Sequence, residues 1–227
     1  MNRGCFQEEQ GTGEFTFLCY IPFFLTTLND IVIIGFSIVF EKMFFHLIFE
    51  NGEQHMKVIL LMAITLDGRT GRNARHFVDW TDREDKRLFV GFTVRAGVVI
   101  MGSRTYDTIG YPLPGRKNVI LTRNSERKSS YDNLVFTNRS PGRIISELET
   151  EGYTEAVLAG GPTINTLFAR EELIDEIVVT ISPKIFGFGT SLFTEDIAME
   201  LELKHLEKRG GHLLCATYGV IKTKAAY

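Results

Sequence analysis

DWTDREDKRLFVGFTVRAGVVIMGSRTYDTIGYPLPGRKNVILTR, residues 79–123, alternates two helical patterns with two buried-strand patterns. From Thr81 to about Arg95 the apolar positions recur at helical spacing. GVVIM (97–101) is a continuous apolar run, 103–109 is helical again, and NVIL (118–121) is a second short run. Runs of four to eight apolar residues between helices read as strands buried on both faces, which belong to a mostly parallel sheet. Outward from this stretch the same alternation continues. KVILLMAI (57–64), TEAVLA (154–159) and EIVVTIS (176–182) read as further buried strands, and helical patterns cover about 141–151 and 163–170. The order predicts an α/β domain with helices on both faces of the sheet. LELKHLEKRGGHLLCATYGVIK (201–222) breaks the alternation: two runs joined around Gly210-Gly211 predict an antiparallel hairpin closing one edge.

The chain has 227 residues and is 44% hydrophobic and 23% charged, values that exclude wholesale disorder. A formal net charge of -3 gives no basis for nucleic-acid binding. Cys5, Cys19 and Cys215 are too scattered for a disulfide framework or a zinc cluster, and the five histidines show no metal-ligand spacing, so no metal is expected. There is no G-x-S-x-G elbow, no Walker lysine, and no G-x-G-x-x-G after a strand.

Residues 1–55 differ from the rest. They carry 2 basic and 7 acidic groups and 10 of the 18 phenylalanines, whereas residues 56–227 hold 23 basic and 21 acidic groups. Between Phe15 and Phe40 the one charge is Asp30. That run is long enough for a bilayer span, but Asp30 and Pro22 both oppose one, and the acids before it oppose a signal peptide. Two readings stay open: a membrane anchor over 15–40, or an upstream leader with natural translation starting at Met56. The expected organisation is an apolar extension over 1–55 and an α/β domain over 56–227.

Three features of the second part carry chemistry. The helix after Trp80 opens on acids, and Thr81 with Glu84 predicts a capping box. Capping does not account for Asp85. Asp85, Phe89, Phe92 and Ala96 share the inward stripe of the helix, whereas Arg83, Lys86 and Arg87 lie off it. A carboxylate on that stripe needs a hydrogen-bonded partner or is desolvated with a raised pKa. The second feature is a pair of strand-to-helix junctions, at Gly102-Ser103-Arg104-Thr105 and at Gly160-Gly161-Pro162-Thr163. Each leaves backbone N–H groups free at a helix start, where a phosphate binds. The third is basic: Arg104 and Arg123 each follow a strand, at the edge of a parallel sheet where ligands bind. The loop Leu66–Trp80, with Asp67-Gly68 and Gly71, reads as a flexible lid.

LMAITLDGRTGRN, DWTDREDKRLF and VIMGSRTYDTIGYPLPGRKNVILTR, in that order, resemble the first half of dihydrofolate reductase. VLAGGPTINTLF and LIDEIVVTISPKIFGFGTSLF are more similar to the reductase domain of riboflavin biosynthesis, which shares the fold. The resemblance covers 56–221 and none of 1–55. It implies a mostly parallel sheet of about eight strands with flanking helices and the C-terminal hairpin.

It also implies an NADPH-dependent reductase that transfers hydride to a C=N bond of a pterin such as dihydrofolate. Asp85 matches the acid that binds the ring's amidine edge and supports protonation. Trp80, Phe89 and Arg116 match substrate-pocket residues, with Arg116 on a folate carboxylate. Gly102, Ser103, Arg104, Thr105, Thr122 and Arg123 match the phosphate-binding turns for NADPH, and Gly160, Gly161 and Thr163 match the glycine turn beneath the pyrophosphate. Ala159 stands where the family usually has a first glycine, and Ser103 where many members have an arginine. The implied setting is cytoplasmic, with a small-molecule substrate, a homodimer as an open arrangement, and membrane contact only through residues 15–40. Two alternatives remain: the ribosylated aminopyrimidine of riboflavin synthesis as substrate, and a binding module on the same fold without catalysis.

Overall fold

Apolar strands set the architecture, because runs of Val, Ile, Leu and Met can be buried on both faces only inside a sheet covered on both sides. In the computed structural model, which describes residues 55–73, 76 and 79–222, those runs form the centre of one eight-stranded sheet. The elements are β1 (Lys57–Thr65), α1 (Arg83–Ala96), β2 (Val98–Gly102), α2 (Ser103–Ile109), β3 (Lys117–Leu121), β4 (Leu134–Thr137), α3 (Pro141–Thr150), β5 (Glu155–Leu158), α4 (Pro162–Arg170), β6 (Glu176–Ser182), β7 (Leu201–Arg209) and β8 (Leu213–Val220). The strand order is β4-β3-β2-β5-β1-β6-β8-β7. Every pairing from β4 to β6 is parallel, and β8 pairs antiparallel with both β6 and β7.

The five strands and four helices expected from patterning are present, and the hairpin turns at Gly210-Gly211 as expected. β4 was not anticipated. Its four residues, LVFT, are too short and too mixed to stand out, and it forms because it pairs with β3 from Asn118↔Leu134 to Leu121↔Thr137. The stretch 15–40 and residues 1–54 of the 1–55 extension lie outside the described residues. Among the described residues, no helix is long and apolar enough to cross a membrane.

Alternation along the central strands separates two cores. Val58, Leu60, Ile100, Leu158 and Val179 face α3 and α4, where Ile144, Ile145, Leu148 and Phe168 cover them. Ile59, Leu61, Val157 and Val178 face α1, with Leu88 and Ala96; Val99, Met101 and Ile120 face α2, with Tyr106. β1 and β2 therefore continue into helices on one face, while their neighbour β5 continues into α4 on the other. Strands whose connections diverge in this way leave a crevice at their C-terminal ends. That crevice lies beside Thr65, Gly102, Leu158 and Ser182.

Phe168 is fully buried on α4 at the centre of the larger core. Phe168→Ala is expected to cost about 3–5 kcal/mol of stability, measured by urea denaturation of the whole chain; a loss under about 1 kcal/mol would show that α4 does not pack as described.

Candidate active site

α1 starts one residue later than the capping-box reading placed it. Asp82, not Thr81, is the N-cap: its carboxylate accepts from the backbone N–H of Glu84 at 2.9 Å and of Asp85 at 3.0 Å. Asp reaches the free N–H groups as well as Thr does and adds a charge at the positive end of the helix. His212, at the tip of the β7–β8 hairpin, points Nε2 at the same carboxylate, 2.5 Å away. Partial burial pulls the Asp82 pKa upward, but the Asp85 and Glu84 amides and His212 outweigh it and hold the group below its ordinary value. Thr81 is instead turned inward, and its hydroxyl lies beside Asp85.

With the cap at Asp82, the inward stripe carries Asp85 into the interior. Arg83, Lys86 and Arg87 are exposed, Asp85, Phe89 and Phe92 are half-buried, and Ala96 is buried. Oδ1 of Asp85 accepts from the hydroxyl of Thr180. Thr180 lies on β6 on the same face as Val178, opposite Ala63 of β1 and Cys215 of β8. Burial raises the Asp85 pKa above the ordinary carboxylate value; the bond from Thr180 and the nearby Thr81 hydroxyl oppose this, Asp82 adds to it by repulsion, and Lys86 opposes it. The Trp80 ring is 7% exposed, and its Nε1 has no hydrogen-bond partner. Thr81 Oγ1 is likewise buried and outside hydrogen-bonding geometry. A buried, unpartnered indole N–H is what a polar ligand would satisfy.

Eight residues along the same helix stands Thr93, whose Oγ1 donates to the Phe89 carbonyl and accepts from the Arg116 guanidinium. Arg116 is 8% exposed, and its Nε donates to the Pro114 carbonyl at 2.9 Å. Burial lowers its pKa from the ordinary arginine value. Among the described residues no carboxylate pairs with it. A buried cation without an anion is costly, and a ligand anion is the natural remedy.

The two strand-to-helix junctions meet directly. The N–H of Gly102, at the end of β2, donates to the Gly160 carbonyl at 2.7 Å. Gly102 and Gly161 are the N-caps of α2 and α4, and neither helix start carries a side-chain cap. Gly160 has φ +85°, and a Cβ there would lie 2.9 Å from the sulfur of Met62; on Gly102 a Cβ would lie 2.8 Å from Ile164. Both positions therefore exclude larger residues. Thr105 Oγ1 would stand 3.4 Å from a Cβ on Gly161. Ser103 and Thr105 are half-buried, and Arg104 and Thr163 are exposed. Because Gly102 pairs with Leu121, Thr122 and Arg123 leave β3 beside this junction. Thr122 is half-buried and Arg123 exposed, and among the described residues neither Arg104 nor Arg123 has an acidic partner.

The loop after β1 is less free than its glycines suggested. Asp67 accepts from Phe186 N at 3.2 Å and Gly187 N at 2.8 Å, and Gly71 bridges Thr190. Residues 66–71 are thus fastened to the β6–β7 connection. Positions 74, 75, 77 and 78 lie outside the described residues. Patterning also missed Thr180, Thr93, Met62 and Ile164 as parts of these sites. Thr180, a hydroxyl inside the apolar run EIVVTIS, is the one with a visible signal.

A family model described as dihydrofolate reductase matches residues 57–192. Dihydrofolate reductase type 3 of Salmonella typhimurium is 37% identical over 106 residues, 47% of this chain and 60% of that protein. Among solved structures, a pyrimidine reductase-like protein of Corynebacterium diphtheriae covers 74% of this chain and 92% of its own at TM-score 0.61 and 16% identity. Dihydrofolate reductase from Enterococcus faecalis complexed with NADP(H) covers 74% and 98% at TM-score 0.55 and 19% identity. At these identities the two structures establish the fold.

The raised pKa of Asp85 has a consequence for stability. An acid whose folded pKa exceeds its unfolded value binds more protons when folded, so stability falls as pH rises from the ordinary carboxylate value to the raised one. Asp85→Asn is expected to raise the melting temperature at neutral pH, with the gain shrinking as the pH falls from the raised value toward the ordinary carboxylate value and gone below it. Thermal scans across that window check it; equal melting temperatures at neutral pH would contradict the desolvation.

Proposed function

The chain belongs to the dihydrofolate reductase family, and we propose that it is an NADPH-dependent reductase transferring hydride to the C=N bond of a dihydropterin that carries an anionic tail, with dihydrofolate as the model substrate. One juxtaposition carries this reading. Asp85 and the Thr93–Arg116 pair sit eight residues apart along α1, about 12 Å at 1.5 Å per residue. A single substrate that offers N–H donors at one end and an anion at the other would satisfy both. The half-buried rings of Phe89 and Phe92 lie on the intervening stretch, suited to an apolar linker.

The residues fit a dinucleotide. Gly160 has the backbone conformation and tight packing of a close-approach turn, two uncapped helix starts adjoin it, and Arg104 and Arg123 stand unpaired beside them. In this reading Gly102, Ser103, Thr105, Gly160, Gly161 and Thr163 hold the pyrophosphate region, and Arg104, Thr122 and Arg123 hold a further phosphate. When bound, NADPH supplies the hydride. Oδ1 of Asp85 is already engaged by Thr180, which leaves Oδ2 to accept from the substrate's amidine edge or to hold a proton. The raised pKa favours that proton near neutrality more than in a free aspartate. Trp80 and Phe89 exclude water from the reacting bond. A cytoplasmic setting and a small-molecule substrate accompany this reading.

Two substitutions test it. Asp85→Asn is expected to lower kcat on the order of 10²- to 10⁴-fold while leaving the NADPH dissociation constant near its original value. Arg116→Leu is expected to raise KM for dihydrofolate roughly 10- to 150-fold, with little change for a dihydropterin that lacks the glutamate tail. Faster NADPH oxidation on the ribosylated aminopyrimidine than on dihydrofolate would replace the substrate. Binding of NADPH without oxidation on any pterin or pyrimidine would replace the enzyme with a binding module.

A further inference from the structure

Residues 183–200 connect β6 to β7, and their first part lies along the loop that follows β1. At its far end a backbone pair is reinforced by side chains, with the Thr70 hydroxyl 2.9 Å from that of Thr190 and Arg69 donating to Ser191 Oγ at 3.1 Å. Thr70 N donates to Thr190 O at 2.8 Å and Thr190 N to Gly71 O at 2.9 Å. The chains run so close there that a Cβ on Gly189 would lie 2.2 Å from the Gly71 carbonyl oxygen. At its near end Leu66 N donates to Lys184 O at 2.9 Å, and the Asp67 side chain takes both amides of the Phe186-Gly187 turn. Oδ1 of Asp67 accepts from the Thr65 hydroxyl at 2.5 Å and from Phe186 N at 3.2 Å, and Oδ2 accepts from Gly187 N at 2.8 Å. Thr65, fully buried at the end of β1, is itself fixed by accepting from Arg69 N at 2.9 Å. The Thr65 hydroxyl first, and then the two amides, hold the Asp67 pKa below its ordinary value, so the carboxylate is charged at neutral pH.

What Asp67 holds in place is an aromatic ring. Phe186 meets Trp80 edge to face at 5.3 Å, and the Arg72 guanidinium lies over the Phe186 ring, 4.3 Å from its centroid. The Trp80 carbonyl accepts from Lys184, two residues before Phe186. Trp80 precedes Asp85 by five residues, and Phe186 follows Thr180, the partner of Asp85, by six. The clamp and the acid are therefore joined through both chains that leave the site. We infer that Asp67 is a positioning residue: through the Phe186 and Gly187 amides it sets the Phe186 ring against Trp80 and so fixes the wall of the substrate pocket next to Asp85. The pocket's role as a substrate site rests on the reductase reading above; the clamp itself does not.

Trp80 is the chain's single tryptophan, so selectively excited emission reports on this wall alone. In the full-length protein, Asp67→Ala is expected to shift Trp80 emission to the red and to increase its acrylamide quenching roughly twofold. It is also expected to raise KM for dihydrofolate about tenfold with kcat much less affected, the pattern of lost ground-state binding. Leu66→Ala, a change at an exposed neighbour, is expected to leave emission and KM as they were. Unchanged emission in Asp67→Ala, or an equal change in Leu66→Ala, overturns the inference. Should Asp67→Ala lose its circular dichroism signal, Asp67→Asn keeps the size but replaces one accepting oxygen; unchanged emission and KM there overturn it equally. Absence of turnover by the unaltered protein on dihydrofolate would count against the reductase reading alone, and the emission would still decide the clamp.

Discussion

A carboxylate on the inward stripe of a helix is the constraint around which this site is organised. Asp85 is half-buried and raised in pKa by desolvation, and the Thr180 hydroxyl is the bond that makes the position tolerable. That bond joins residues 95 apart in the chain, so the start of α1 and the end of β6 have to be in register for the acid to be bearable at all. Asp82 caps the helix and His212 reaches that cap from the hairpin, which fixes the helix from its other side. The arrangement holds a costly group in place with neighbours that cannot neutralise it. Such an arrangement is expected where a charge is kept for use.

The edge at the two glycine junctions follows a different logic. Its residues are small or unpaired rather than buried and paired. Gly102 and Gly160 let two loops touch through a backbone hydrogen bond, and side chains at either position would collide with Ile164 or Met62. The clamp at Asp67 ties the loop after β1 to the β6–β7 connection. The same connection reaches α4, where the Asn165 side chain donates to the Leu192 carbonyl at 2.8 Å and Thr194 N donates to Thr166 Oγ1 at 2.9 Å. One segment thus touches the elements of both halves of the crevice.

Much of this was legible in the sequence, for identifiable reasons. Buried strands declare themselves by apolar runs, and Asp85 by breaking the apolar stripe of α1. The glycine junctions declare themselves by their place between a strand and a helix. Features set by distant partners were not legible. β4 exists because β3 offers it an edge, and Thr180 matters because Asp85 arrives above it. The cap went to Asp82 rather than Thr81 because Thr81 is drawn inward beside Asp85, a choice that local capping chemistry cannot make. The loop after β1 reads as free from its glycines, yet Gly71 serves a close backbone contact with Thr190 rather than mobility.

The most direct measurement is a carboxyl-carbon NMR titration of Asp85, assigned by its disappearance in Asp85→Asn. The account predicts a midpoint above that of exposed aspartates, and a further rise when Thr180→Val removes the hydroxyl that favours the charged form. A midpoint in the ordinary carboxylate range, unmoved by Thr180→Val, would place the acid in solvent and contradict the site described for it.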